Sequence, residues 1–215
     1  MIDETSSPPR QTRAQQRAAT RLALIAAAAD CLVEEGYAAL TTRRVAERAG
    51  VAQSTLMHHF ETREALLVEA VTQLATGLAD EALDHVDLAA LRAPEHREAV
   101  LDQAWRTFTS PRALAAVPVW AAAWTEPELA EPLRQLEERL TAIVHATSGA
   151  LFPDLVDDPA FPALIDASVS LIRGLVVAAP ISGIEELNAR WAAMKPFLLR
   201  AAGDLLDDAP ASAHP

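Results

Sequence analysis

Cysteine, glycine, aromatic side chains and uninterrupted apolar runs are all scarce in this chain, and each scarcity excludes something. The single cysteine among 215 residues, Cys31, leaves no internal disulfide to form, so a reducing, cytoplasmic setting is expected. Nothing basic lies beside Cys31 in sequence to activate its thiol, which reads as a small buried group. Only 7 glycines and 5% aromatics, against abundant alanine and leucine, disfavour sheets and point to an all-α fold. The longest apolar stretch, residues 160–184, is broken by Asp166 and Arg173, so no membrane span is expected. The opening MIDETSSPPR is acidic and proline-containing, unlike a secretory signal. His85, His96 and His145 are scattered, and no acid pair, nucleophile elbow or phosphate loop accompanies them. No catalytic residue, cofactor or metal site is therefore expected.

Basic charge is short overall, with 18 Lys and Arg against 30 Asp and Glu, yet it is unevenly spread. Residues 1–63 hold eight arginines against seven acids, whereas residues 64–215 hold ten basic residues against twenty-three acidic ones. Screening falls off within about 8–10 Å, so the local balance governs contact with a polyanion more than the net −12.

The stretch Thr41–Phe60, TTRRVAERAGVAQSTLMHHF, reads as two short helices around a tight turn. Val45, Val51 and Leu56 are spaced to close a small apolar interior, Ala46 is small enough for a crossing helix, and Gly50 permits the left-handed turn. That leaves Gln53, Ser54, His58 and His59 as a polar outer face suited to base edges and phosphates in a major groove. Adjacent histidines diverge by about 100° on a helix, which makes His58 and His59 a poor metal pair.

With its flanks, Leu24–Leu67 resembles the amino-terminal domain of TetR-family transcriptional regulators. The likeness rests on the alanine-rich first helix, Gly36-Tyr37, Thr41-Thr42-Arg43, Ala49-Gly50-Val51, Thr55-Leu56, His59-Phe60 and Arg63-Glu64-Ala65-Leu66-Leu67, about a fifth of the chain. It implies a ligand-responsive, sequence-specific repressor acting as a homodimer on a pseudo-palindromic DNA operator. The implied DNA-binding residues are Thr42, Arg43, Gln53, Ser54, Thr55, His58, His59 and Arg63, with Thr42 and Arg63 on phosphates and Arg43 within reach of a guanine. Two positions depart from the family pattern. Ala52 stands where a capping Ser or Thr is common, and Met57 replaces a tyrosine that touches a phosphate.

The expected organisation is a flexible arm at 1–11, a helix-turn-helix domain at 12–62, a ligand-binding and dimerisation domain at 63–208 and a disordered tail at 209–215, with about nine helices in all. Arg10 and Arg13 could reach a phosphate or the minor groove from the arm. Capping boxes are expected at Thr125/Glu128 and Ser182/Glu185, and helix starts at Ser110-Pro111 and Asp158-Pro159. Trp105, Phe108, Trp120 and Trp124 gather on two consecutive helices, either as plain core or as the wall of a cavity for an apolar or amphipathic effector. Leu164, Ser168, Leu171, Leu175, Trp191, Met194 and Leu198 offer apolar surface for a four-helix bundle across a two-fold axis. The alternative from another class is a helical small-molecule carrier or enzyme with a relic DNA-binding domain.

Overall fold

The computed structural model describes residues 12–84 and 96–208, and the chain divides into two compact units, 1–70 and 71–215. The expected arm and tail, together with Arg10, His85 and Pro94, lie outside the described residues.

The first unit begins with α1 (Arg13–Glu35). Thr12 caps it reciprocally: its hydroxyl accepts from the Gln15 N–H at 3.2 Å while its own N–H donates to Gln15 Oε1 at 2.8 Å. Burial starts only at Leu24 and continues through Ile25, Ala28, Cys31 and Leu32. A 3-10 turn (Tyr37–Ala39) then seats Leu40 in the core. Thr41 caps α2 (Thr42–Arg48) by accepting from the Arg44 N–H at 3.2 Å. Gly50, at φ 69°, makes the left-handed step that reverses the chain, and Val51 N–H donates to Ala46 O at 3.0 Å. Val51, expected as a buried wedge, is half-buried. Helix α3 (Gln53–His59) buries Leu56, as α2 buries Val45 and Ala46, and Phe60 closes its end. Thr62 caps α4 (Arg63–Asp84) through the Ala65 N–H at 3.0 Å.

The unit boundary falls within α4, not at its start. Arg63 Nε donates to Leu40 O at 3.0 Å, and Arg21 pairs with Glu69 at 2.9 Å, so both contacts tie the first turns of α4 to the first unit.

The second unit contains α5 (Arg97–Phe108), α6 (Pro111–Ala122), α7 (Ala130–Leu151), α8 (Phe161–Val177), α9 (Ala179–Ser182) and α10 (Ile184–Asp208). Among the described residues there are ten α-helices and no strand, and the short α9 is the one beyond the expected nine. Ser110 caps α6 with Pro111 in the first turn, as the sequence predicts. Both expected capping boxes are absent. Thr125 instead donates to Ala122 O at 3.2 Å, closing the previous helix, and a 3-10 turn at Pro127–Leu129 precedes α7. Ser182 ends α9, and Gly183 at φ 76° separates it from α10. Asp158 Oδ1 accepts from the Ala160 N–H at 2.7 Å, and α8 starts two residues later than expected.

The core of this unit centres on Trp105 and Trp191, whose rings stack 5.2 Å apart and 6° from parallel. Ile172, Leu175, Val176 and Leu187 surround them. Buried indole N–H groups need acceptors. Trp105 donates to Asn188 Oδ1 at 2.8 Å and Trp191 to Asp102 Oδ1 at 3.1 Å. Lys195 Nζ closes the network on both Asp102 oxygens at 2.9 Å and on Glu98 at 2.6 Å. Among the described residues no helix is long and apolar enough to cross a membrane.

Candidate nucleic-acid interface

The outer side of α3 follows from its seven residues. Leu56 faces inward, so Gln53, Ser54, Met57 and His58 are exposed, while Thr55 and His59 are half-buried. No side chain caps its first turn, in keeping with alanine at position 52. Gln53 is not a free rotor: its Nε2 donates to Thr42 Oγ1 at 3.0 Å. The amide that would meet a base edge is thus held from α2. Thr42, expected on a phosphate, is turned to Gln53 in this structure, and its hydroxyl keeps a proton to donate.

The arginines divide by what they touch. Arg43 is exposed and, among the described residues, pairs only within its own helix, with Glu47 at 2.8 Å. Arg44 reaches Glu35 at 2.6 Å and Arg48 reaches Glu34, so both tie α2 to the end of α1. Arg48 also donates to Cys31 Sγ at 3.9 Å. The expectation of no basic neighbour for Cys31 therefore fails, because the fold brings together residues 17 apart in sequence. Burial still pushes the thiol above its ordinary value, against the pull of Arg48.

Arg63 lies over the Tyr37 ring at 4.8 Å, donates to Leu40 O, reaches Tyr37 Oη at 3.4 Å and lies 3.6 Å from Glu64. It braces α4 on the Tyr37 corner. His58 and His59 meet edge to face at 6.0 Å. Burial, then the charges of Arg17, His58 and Arg21, hold His59 below its ordinary value. Among the described residues no group of three His, Cys, Asp or Glu side chains could hold a metal.

The four aromatics do not share a cavity. Trp105 is buried in the stacked pair and Phe108 packs against it. Trp120 is half-buried, whereas Trp124 is 91% exposed because α6 ends at Ala122, short of the further turn that would have aligned them. The described cleft, about 440 Å³, instead lies along α7 and α8, lined by Glu137, Glu138, Thr141, His145 and Asp166. There His145 Nε2 meets Asp166 Oδ1 at 2.7 Å and Arg173 pairs with Glu137.

The residues expected at a dimer face are also split. Leu175 and Trp191 belong to the unit's own core. Leu164, Ser168, Leu171 and Leu198 are half-buried, and Met194 is exposed. More exposed apolar groups than Met194 are Val177 (62% exposed) at the end of α8, Ile181 (90%) on α9 and Phe197 (65%) on α10. Val177 and Ile181 continue the spacing of an exposed row of small residues on α8, Ala167, Ser170 and Gly174, which is readable in the sequence.

A glycine-turned helix pair that holds a polar amide outward defines a helix-turn-helix DNA-binding protein. The family model described as bacterial regulatory proteins, tetR family, matches residues 24–70. The chain is 30% identical over 139 residues to the HTH-type transcriptional regulator CymR of Pseudomonas putida, covering 64% of this chain and 68% of that one. It is 29% identical over 198 residues to the HTH-type transcriptional regulator BetI of Rhizobium meliloti, covering 86% and 91%. In fold it is similar to the multidrug binding protein EbrR complexed with proflavin, at TM-score 0.60 and 20% identity over 86% of this chain and 99% of that one. It is likewise similar to a TetR transcription regulator from Haloarcula marismortui, at TM-score 0.62 and 19% identity over 88% and 97%. The chain belongs to the TetR family: it is a DNA-binding transcriptional regulator.

Proposed function

We propose that this regulator is a cytoplasmic homodimeric repressor, without enzymatic activity, that leaves a pseudo-palindromic operator when its acidic body binds a small amphipathic molecule. The observation that carries the reading is the Gln53 amide held outward by Thr42 beside exposed Arg43, a set of groups fit to meet base edges and phosphates. A pair of such faces about 34–36 Å apart would enter successive major grooves of one side of a duplex.

Dimerisation is supported by the open row on α8. A Cβ added at Gly174 would meet nothing within 4 Å, so the protomer itself has no need of glycine there. Glycine inside a helix costs about 0.5–1 kcal/mol relative to alanine. Close approach of a partner helix gives it a use, and Val177 and Ile181, which continue its spacing, and Phe197 on α10 supply open apolar area. The effector class is supported by the acidity of residues 64–215 and by the complexes of the similar EbrR with proflavin and ethidium. An effector acts only through the difference in its affinity for the two states, so it must prefer the conformation that fits DNA poorly.

Selection of duplexes from a random pool by the purified chain tests the DNA reading. An enriched inverted repeat is expected, and recovery of no common sequence would sink it. Proflavin titrated into the selected complex should release the DNA; unchanged binding at saturating dye would remove a cationic aromatic from the effector class.

A further inference from the structure

Among the described residues, the first two turns of α1 bury no side chain. Residues 12–19 are all exposed, and the buried residues of α1 begin at Leu24. The segment is nevertheless a regular helix, capped by Thr12 and Gln15 and built from strong helix formers, RAQQRAA. Its charge is of one sign. Between Thr12 and Ala29 there are three arginines, Arg13, Arg17 and Arg21, and no acid, in a chain whose net charge is −12.

Those three arginines recur every fourth residue, so they form one ridge, about 12 Å long at 1.5 Å per residue. Arg21, at its inner end, is held by Glu69 and lies over the Phe60 ring at 4.8 Å, at the end of α3. Arg17 lies close enough for its charge to act on His59, the last residue of α3. Arg13 and Arg17 are exposed and make no ion pair among the described residues. The ridge therefore runs outward from the base-reading helix and carries two uncommitted cations.

We infer that this part of α1 is a second DNA-contacting element, in which Arg13 and Arg17 grip the sugar–phosphate backbone beside the groove that α3 enters. The inference rests on the DNA-binding reading above and extends it to residues outside the helix-turn-helix. Positive charge without hydrogen-bond partners of fixed geometry fits phosphate, which carries no sequence information, so the contact adds affinity without changing base preference. Positions 13 and 17 stand about 6 Å apart along the helix axis, a spacing that lets each side chain meet its own phosphate.

The test uses the full chain and a duplex it has itself selected from a random pool, with affinity measured by fluorescence anisotropy from about 50 to 300 mM KCl. Each lost phosphate contact lowers the slope of log K against log salt by about 0.9. R13Q/R17Q should therefore lower it by about 1.8 for each protomer bound, with the ranking of base variants unchanged. R13K/R17K should keep the wild-type slope. A R13Q/R17Q slope within about 0.5 of wild type overturns the inference while leaving the DNA reading intact, as does a thermal midpoint that falls with the mutations, which would make the arginines structural. A wild-type chain that selects no sequence removes both readings together.

Discussion

The two units differ in how far a single chain completes them. The first unit closes on small and aliphatic groups, with Leu24, Ala28, Val45, Leu56, Leu66 and Leu67 all fully buried. Its polar side chains either brace helix ends, as Arg44, Arg48 and Arg63 do, or point outward, as Gln53 and Arg43 do. The second unit closes on a stacked tryptophan pair with a hydrogen-bonded belt, yet leaves Val177, Ile181 and Phe197 open to solvent. A reading head finished within one chain can be rigid before it meets DNA. The apolar surface left over on the body is what the proposed dimer would cover.

The contrast breaks first at Leu56. Leu56→Ala removes a fully buried side chain from the smaller core and should cost about 2–5 kcal/mol. Denaturant melts followed by circular dichroism should show that loss, with specific DNA binding gone. A cost below about 1 kcal/mol would mean the head is not closed as described.

Phe197→Glu probes the other side of the comparison. Its side chain is 65% exposed in the protomer, so folding should be nearly untouched. A charge set into a self-complementary interface should weaken association by about 2 kcal/mol or more, roughly 30-fold. Sedimentation velocity reads this directly, and an unchanged oligomeric state would place the interface elsewhere.

Asp102→Asn tests the belt around the tryptophans. It leaves Lys195 with Glu98 as its one paired carboxylate in the belt and should cost about 1–3 kcal/mol. Burial works to raise the Asp102 pKa, but hydrogen bonds from Lys195 and Trp191 prevail and hold it below the ordinary 3.8. A carboxylate depressed in the folded state contributes stability above its unfolded value, and that stability is lost as pH falls through the folded one. Thermal melts of wild type should thus steepen their decline below about pH 4, and the variant should lose part of that dependence.

The smallest effect belongs to Thr42→Val. Losing one hydrogen bond to Gln53 should reduce discrimination at the base Gln53 meets by about 0.5–1.5 kcal/mol, with little effect elsewhere in the site. Gln53→Ala should abolish the same preference. Equal losses at every operator position in competition assays would separate Gln53 from base reading.

Much of the head was legible because its rules are local. Thr41 and Thr62 cap, Gly50 turns, and Val45 with Leu56 alternate with the polar face at helical spacing. The roles of the arginines were not. Arg43, Arg44 and Arg48 look alike in a string of letters, and only the packing of α1 against α2 gives Arg44 and Arg48 to Glu35 and Glu34 and leaves Arg43 outside. Arg63 resembles a phosphate-gripping residue in sequence, yet the fold seats it on Tyr37. In the body, the apolar periodicity of α8 and α10 announced buried faces without saying which neighbour buries them. Leu175 and Trp191 were drawn inward by Trp105, and the open surface passed to Val177 and Phe197.

The sequence by itself determined the all-helical composition, the turn at Gly50, the polar face of α3 and the acidic body, because propensity, capping and charge act within a few residues. The tertiary structure decided which cations remain free, which tryptophans stack and which apolar groups face out. Those outcomes depend on side chains up to 93 positions apart, as in Lys195 and Asp102, and on competition for a limited interior that no local pattern encodes.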